Sequence, residues 1–145
     1  ILFVDTPAGA SDSSIEFAAA CDKIIIVLVG EPTSFMDAYA FIKALSIEKN
    51  VDNVSIVVNM AKDEADAVKS FNSFEKIVLQ FLEINLNFTG WLPQSQVISN
   101  SIVARKPYIL NKKANGDLNL RIEEILKGVG EANQIISSSI RFFDN

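Results

Sequence analysis

The chain has 145 residues, 49% of them apolar, which suits one domain with a sizeable core and excludes a disordered or fibrous protein. Thirteen basic and eighteen acidic residues give a net charge of −5, which argues against nonspecific nucleic-acid binding through a broadly basic surface, so no nucleic-acid partner is expected. With no histidine and one cysteine, the sequence excludes an internal disulfide and Ser-His or Cys-His catalysis, argues against zinc, and fits a reducing cytoplasm.

The first five residues form an apolar run that ends in an acid, Asp5, and a turn of Thr6, Pro7, Ala8 and Gly9 follows at once. Such a run predicts a strand buried on both faces, which delivers Asp5 to the carboxyl edge of a sheet. Open α/β sheets bind ligands at that edge. An acid there can hold a magnesium ion through its water shell beside nucleotide phosphates, or it can simply cap the following turn or helix.

Helical and strand-like segments alternate along the rest of the chain. The first half of the chain predicts a helix over 12–21, a strand over 23–29, a helix capped by Ser34 and a strand over 54–59. The second half predicts a helix over about 63–85 and a short strand over 88–92 stopped by Pro93. An irregular or briefly helical stretch over 94–105 and a last helix capped by Asp117 follow. This alternation predicts an α/β fold with a mainly parallel, doubly wound sheet and helices on both faces.

Apolar residues at helical spacing predict which helix faces are buried. They are Met36, Ala40, Phe41, Ala44 and Leu45 in the second helix, Val68, Phe71, Phe74, Ile77, Val78, Phe81 and Leu82 in the third, and Leu118, Ile122, Ile125, Leu126 and Val129 in the last. A stripe of phenylalanines is more typical of a core than of a cofactor site.

Three strand ends meet at one edge if the sheet is parallel. They are Asp5 with its turn, residues 30–32 (Gly-Glu-Pro), and Asn59 with Met60. A terminal Asn offers one acceptor and two donors, so it can read a purine edge, or it can cap the next loop.

The ordered series of motifs resembles the MinD/ParA class of deviant P-loop ATPases. Residues 5–9 (Asp-Thr-Pro-Ala-Gly), the strand 23–29 with the following residues 31–43, and residues 57–60 (Val-Val-Asn-Met) carry the resemblance. The motifs Glu-Pro-Thr-Ser at 31–34, Phe-Leu at 81–82, and Gly-Trp-Leu-Pro at 90–93 with Val97 resemble in particular the flagellar-number regulator branch, FlhG, also called YlxH.

The resemblance implies a cytoplasmic ATPase that forms an ATP-dependent homodimer, docks on the inner face of the membrane, and helps to set flagellar number and placement. Asp5 would match the Walker B acid that holds magnesium through water, and Thr6, Pro7, Ala8 and Gly9 would match the second switch. Asn59 with Met60 would read adenine, and Pro93 would lie beside the base. Implied partners are flagellar assembly proteins, such as an SRP-type GTPase FlhF or switch-complex components.

The sequence departs from the resembled pattern at two places. Gly30 stands where the family usually has Thr, and Gln94 and Ser95 stand where Pro is commonly followed by an acid one residue on. These departures bear on the adenine contacts rather than on the fold.

The 145 residues contain no Gly-rich Lys-Ser/Thr loop, so this chain by itself is expected not to hydrolyse ATP. In the resembled fold the phosphate-loop strand lies between the strand 1–5 and the strand 23–29. Because unpaired buried backbone is costly, we expect direct pairing of these two strands, a swap with another copy, or a longer polypeptide of which this is the C-terminal part.

Residues 133–145 place Ile135, Ile136, Ile140 and Phe143 along one side. They could form an amphipathic membrane-contacting helix, or a helix packed on its own domain; the low content of basic residues favours the second.

Two other functions stay open at this point. The chain could be a non-catalytic protein-binding module that uses its helices 34–48 and 63–85, or a relative of septum-site or chromosome-partitioning proteins. A dinucleotide-binding oxidoreductase is disfavoured, because the turn after the first predicted strand lacks the Gly-x-Gly-x-x-Gly pattern.

Overall fold

The computed structural model describes residues 1–110 and 116–132. Its centre is a parallel sheet of three strands, β1 (Ile25–Val29), β2 (Asn53–Ala61) and β3 (Asn85–Pro93), in the order β1-β2-β3. The helices of the described residues are α1 (Asp12–Ala19), α2 (Pro32–Lys49), α3 (Glu64–Leu79), α4 (Gln96–Val103) and α5 (Gly116–Glu131), with a 3₁₀ turn at Tyr108–Leu110. The predicted parallel α/β fold is confirmed.

The central strand β2 is buried on both faces. Ile56 and Val58 belong to the cluster formed with α2 and α3, whereas Val57 packs with Ile125 and Val129 of α5. Helices therefore cover both faces of the sheet, as the sequence predicts. This arrangement explains why β2 is apolar at successive positions instead of alternating.

Helix α2 is rotated relative to the prediction from its apolar spacing. Ala38, Ile42 and Leu45 are buried, while Met36 is 71% exposed and Ala40 is also exposed. The predicted Ser34 cap is wrong as well, because Glu31 occupies the cap position and Pro32 opens the helix. Proline suits the first helical position, since its missing N–H has no partner there and its φ is already helical.

Helix α3 begins where the sequence predicts and ends earlier. The Asp63 side chain caps it by accepting a hydrogen bond from the backbone N–H of Asp66 at 2.8 Å. The helix stops at Leu79 rather than near residue 85, and β3 already begins at Asn85. Of the predicted stripe, Phe71, Phe74, Val78 and Leu82 are buried, whereas Val68, Ile77 and Phe81 are exposed.

Two glycines allow α5 to approach β3 closely. A Cβ at Gly128 would lie 2.9 Å from the carbonyl oxygen of Thr89, and a Cβ at Gly90 would lie 2.6 Å from Cγ1 of Ile125. Gly90 also has a φ of +145°, which side chains rarely permit. The contact between α5 and the sheet therefore depends on the absence of side chains at these two positions.

The two ends of α5 are held differently from the prediction. Asp117 lies inside the first turn, where its carboxylate pairs with Arg121 at 3.4 Å, and not at the cap. At the other end, Nζ of Lys23 donates to the carbonyl oxygens of Val129, of Gly130 at 3.0 Å and of Ala132 at 2.8 Å. An ammonium group there satisfies free carbonyls and complements the negative end of the helix dipole. Of the predicted inward residues of α5, Leu126 is 51% exposed.

The prediction of a buried strand over residues 1–5 is wrong. These residues form no regular secondary structure, and Leu2 and Phe3 are 71% and 72% exposed. Among the described residues β1 pairs with β2 alone, so direct pairing with residues 1–5, one of the three alternatives expected from the sequence, does not form. An apolar run without a hydrogen-bonding neighbour cannot bury its backbone at low cost. The proposed helix over 133–145 lies outside the described residues.

Candidate functional site

Asn59 and Pro93 lie at the same edge of the sheet. Asn59 is opposite Val29 of β1, and Pro93 is opposite Ala61 of β2, so both residues stand at the carboxyl ends of neighbouring parallel strands. The backbone N–H of Gln94 donates to the carbonyl oxygen of Ala61 at 3.3 Å, which holds the strand ends together. The geometry expected for this pair from strand order is present.

The end of β2 is irregular at the residues of interest. The register with β3 shifts between Val58 and Ala61, and Met60 has a φ of 59° with a side chain that is 51% exposed. Oδ1 of Asn59 accepts a hydrogen bond from the backbone N–H of Met60 at 2.9 Å. This bond uses the acceptor of the Asn59 amide and leaves its NH₂ group available to an acceptor on a ligand.

Residues 4–9 line a cavity of about 530 Å³ beside β1 and the start of α2. The lining also includes residues 25–27 of β1 and Thr33, Ser34, Asp37, Ala38 and Phe41 of α2. Ser34 is fixed there because its hydroxyl accepts from the backbone N–H of Val29 at 3.0 Å. The hydroxyl of Ser14 donates to the carbonyl oxygen of Pro7 at 3.4 Å and ties the turn to α1.

The predicted site residues thus fall into two groups. Asp5, Thr6, Pro7, Ala8 and Gly9 line the cavity at β1, and this cavity does not include Asn59, Met60 or Pro93. The second group stands at the tips of β2 and β3. Their roles in binding remain predictions.

The lining of the β1 cavity contains acidic and hydroxyl side chains and no basic residue. It offers carboxylates from Asp5 and Asp37 and hydroxyls from Thr6, Thr33 and Ser34. Within residues 1–110 and 116–132, no group of three or more His, Cys, Asp or Glu side chains is placed to hold a metal ion directly. A magnesium ion in this cavity would therefore depend on water and ligand oxygens for most of its coordination, which is the usual habit of that ion.

Sequence reasoning missed the hydroxyls of Thr33 and Ser34 as site residues. The available signal was their position directly after the break at residues 30–32, which is where a helix begins above a strand end. It also missed Arg121, whose guanidinium lies 3.9 Å from the ring centroid of Trp91. Trp91 precedes Pro93 by two residues, so this cation–π contact supports the strand end that presents Pro93.

Cys21 is not prepared for nucleophilic chemistry. Burial, together with the neighbouring Asp22 carboxylate, raises the pKa of the Cys21 thiol above its ordinary value. A raised pKa favours the thiol over the reactive thiolate. The Cys21 Sγ also donates to the carbonyl oxygen of Phe17 at 3.2 Å, as a structural side chain does.

Comparison with known proteins identifies two relatives, one of which is a flagellum site-determining protein. The chain is 31% identical over 102 residues to the antiactivator FleN of Pseudomonas aeruginosa, and this match covers 70% of the chain and 36% of FleN. It is 30% identical over 118 residues to the flagellum site-determining protein YlxH of Helicobacter pylori, covering 81% of the chain and 39% of YlxH. This chain is a relative of FleN and YlxH. The resemblance to the FlhG branch is therefore confirmed.

The two matches cover only part of each relative. The chain spans less than two fifths of the length of either relative, at 36% and 39%. No protein-family model matches the chain. In the part of the chain that the structure describes, no helix has the length and apolarity to traverse a bilayer.

Proposed function

We propose that the chain is part of a nucleotide-switched regulator of flagellar number and placement. The observation that carries the proposal is the placement of Asn59 and Pro93 at one carboxyl edge of a parallel sheet, in a chain similar to the flagellum site-determining protein YlxH and to the antiactivator FleN. Ligands of open α/β sheets bind outside this edge.

In this proposal Asn59 and Pro93 hold the base of ATP. The NH₂ group of Asn59 donates to a ring nitrogen of adenine, while the bond from Met60 to Asn59 Oδ1 keeps the amide in one orientation. Pro93 supplies an apolar surface beside the ring. Met60, exposed at a positive φ, lines the same approach.

In the same proposal the Asp5 cavity serves the phosphates and magnesium. The carboxylate of Asp5 would accept hydrogen bonds from water bound to a magnesium ion, and the segment from Thr6 to Gly9 would border the phosphates. Since Pro7, Ala8 and Gly9 are exposed and Thr6 is half-buried, and the Ser14 hydroxyl donates to the carbonyl oxygen of Pro7 at 3.4 Å, we expect the segment to change conformation with the nucleotide. That ordering would create the surface for an ATP-dependent homodimer and for flagellar assembly partners.

Substitution of Asp5 in the full-length protein tests whether its carboxylate helps to hold magnesium. We expect Asp5→Ala to lower magnesium-dependent ATP hydrolysis by at least roughly tenfold while the melting temperature is retained. Asp52→Ala is the matched control, because it removes a carboxylate from an exposed position elsewhere. Equal turnover in the wild type and in Asp5→Ala would contradict the assignment.

Substitution of Asn59 tests the base-binding role independently of hydrolysis. We expect Asn59→Ala to weaken ATP binding roughly tenfold, which is the effect of one lost hydrogen bond at a buried ligand edge. The control is Asn72→Ala on the exposed face of α3. Trp91, the one tryptophan of the chain, lies two residues before Pro93 and provides a fluorescence signal. A protein that binds no ATP at all would favour the non-catalytic binding module.

Homodimer formation is the third part of the proposal. Light scattering with ATP and magnesium should give twice the mass found with ADP. A mass that does not depend on the nucleotide would contradict the switch and leave the flagellar relationship intact.

A further inference from the structure

The end of β2 contains one residue more than the strand that pairs with it. Between its pairs with Trp91 and Pro93, β2 places two residues, Asn59 and Met60, where β3 places one. Such an extra residue is a β-bulge, which bends a strand locally and changes the direction of a side chain. This bulge lies at the carboxyl end of the sheet, among the residues proposed to hold the base.

Met60 adopts a backbone conformation that side chains disfavour. Its φ is 59°, in the left-handed region that glycine enters at little cost. The Met60 side chain is 51% exposed, so its burial does little to offset this strain. Strained residues of this kind concentrate at binding sites, where the strained conformation sets the position of a neighbouring group.

The neighbouring group is the side-chain amide of Asn59. The backbone N–H of Met60 donates to Oδ1 of Asn59 at 2.9 Å. Only the oxygen of an amide accepts a hydrogen bond, so this contact fixes which end of the Asn59 side chain is held by the backbone. The other end is the NH₂ group, which can only donate.

We propose that Met60 is a positioning residue whose left-handed backbone holds the Asn59 amide so that its NH₂ group donates to N7 of a purine base. An asparagine that reads adenine with both ends of its amide accepts from N6 and donates to N7. With Oδ1 bonded to Met60, Asn59 uses only the second of these contacts.

This arrangement defines what Asn59 can recognise. The N7 atom accepts a hydrogen bond in adenine and in guanine alike, whereas the group at position 6 differs between them. Asn59 therefore selects a purine and does not distinguish an amino group from an oxygen at position 6. The inference rests on the proposed nucleotide binding and adds the atom of the base that is read.

Titration of the full-length protein with ATP and with 7-deaza-ATP tests the N7 contact. In 7-deaza-ATP a carbon replaces N7, so the acceptor is lost while N6 and the phosphates are kept. We expect the wild type to bind ATP roughly tenfold more tightly than 7-deaza-ATP, as one lost hydrogen bond requires. In Asn59→Ala the two nucleotides should bind within about twofold of each other, because the donor is absent.

Substitutions at Met60 test the positioning role through the same ratio of affinities. Met60→Ile places a β-branched side chain where the left-handed region disfavours it, so the preference for ATP over 7-deaza-ATP should fall below about threefold. Met60→Gly suits that region and should keep a ratio of roughly tenfold, whatever the thioether contributes to affinity.

Arg105→Ile is the matched control for backbone strain. Arg105 also has a left-handed backbone, with a φ of 51°, and it is exposed at the end of α4. A β-branched residue there should lower the melting temperature as Met60→Ile does. It should leave the ratio of the two affinities at the wild-type value.

Inosine triphosphate tests whether the amide also reads position 6. This nucleotide carries an oxygen in place of N6 and keeps N7. We expect Asn59→Ala to weaken the binding of ATP and of inosine triphosphate by the same factor, within about twofold.

Four results would overturn the inference while ATP binding itself stands. They are equal affinity of the wild type for ATP and 7-deaza-ATP, a wild-type ratio in Met60→Ile, a lowered ratio in Arg105→Ile, and a loss in Asn59→Ala that is confined to ATP and spares inosine triphosphate. A wild type that binds none of the three nucleotides would instead contradict the proposed function.

Discussion

Residues 53–61 and residues 1–5 are both apolar runs that include a polar residue near their carboxyl ends, yet they occupy opposite environments. Ile56 in β2 is fully buried between two neighbouring strands and helices on both faces, whereas Leu2 is 71% exposed. β2 finds backbone partners on both sides, from β1 and from β3. The comparison shows that an apolar run becomes a buried strand only where its N–H and C=O groups find partners.

The largest expected effect is the difference in the free energy of unfolding between variants that shorten one aliphatic residue in each run. Ile56→Ala should lower the free energy of unfolding by about 2–5 kcal/mol, because it leaves a cavity in the closed core. Leu2→Ala should change it by less than about 0.5 kcal/mol, as exposed substitutions do. Urea denaturation measures both. A loss above about 1 kcal/mol for Leu2→Ala would show that residues 1–5 are buried in solution, as in a swap with another copy.

A smaller effect is expected for substitutions in α5, the helix that buries the second face of β2. Gly128→Ala should destabilise the protein by about 1–3 kcal/mol, because the new Cβ meets the rigid backbone of β3. Gly130→Ala, two residues further along α5, meets nothing within 4 Å and should stabilise the helix by about 0.5–1 kcal/mol. Thermal melts of the pair give the two signs. A Gly128→Ala variant as stable as the wild type, or more stable, would show that α5 does not approach β3 closely.

The smallest effect concerns the contact that holds the end of α5 to the start of β1. Lys23→Met should cost about 1–2 kcal/mol, because carbonyl groups at the end of the helix lose a charged donor. Hydrogen exchange in the last turn of α5 should accelerate. Lys43→Met, on an exposed face of α2, serves as the control and should leave exchange in α5 unchanged. Equal exchange rates in the two variants would show that Lys23 does not cap the helix.

The positions of the site residues were partly predictable. Strand order places Asn59 and Pro93 at one edge, because parallel strands joined by helices run in the same direction. The wall of the Asp5 cavity was harder to predict from the sequence, because Thr33 and Ser34 lie on a helix more than 25 residues further along the chain. Their proximity to Asp5 depends on packing between distant segments, which local pattern does not encode.

Some helix caps can also be predicted from the sequence, whereas others depend on a tertiary contact. Ser11 and Asp63 are caps whose side chains accept hydrogen bonds from the following turn, and such residues can be recognised in the sequence. Ser34 resembles a cap equally well, but its hydroxyl bonds the backbone of Val29 in the preceding strand. A cap and a strand-end anchor use the same chemistry, so the tertiary contact decides between them.

The sequence by itself determined the alternation of strands and helices, the parallel sheet, the carboxyl-edge position of Asn59 and the relationship to flagellar regulators. These follow from local periodicity, turn chemistry and the order of short motifs. The tertiary structure alone decided that residues 1–5 stay exposed, that Ala38 and Ile42 rather than Met36 face the core, and that Lys23 caps α5. Each of these depends on which distant backbone or side-chain group lies within bonding distance, and that is a property of the packed chain.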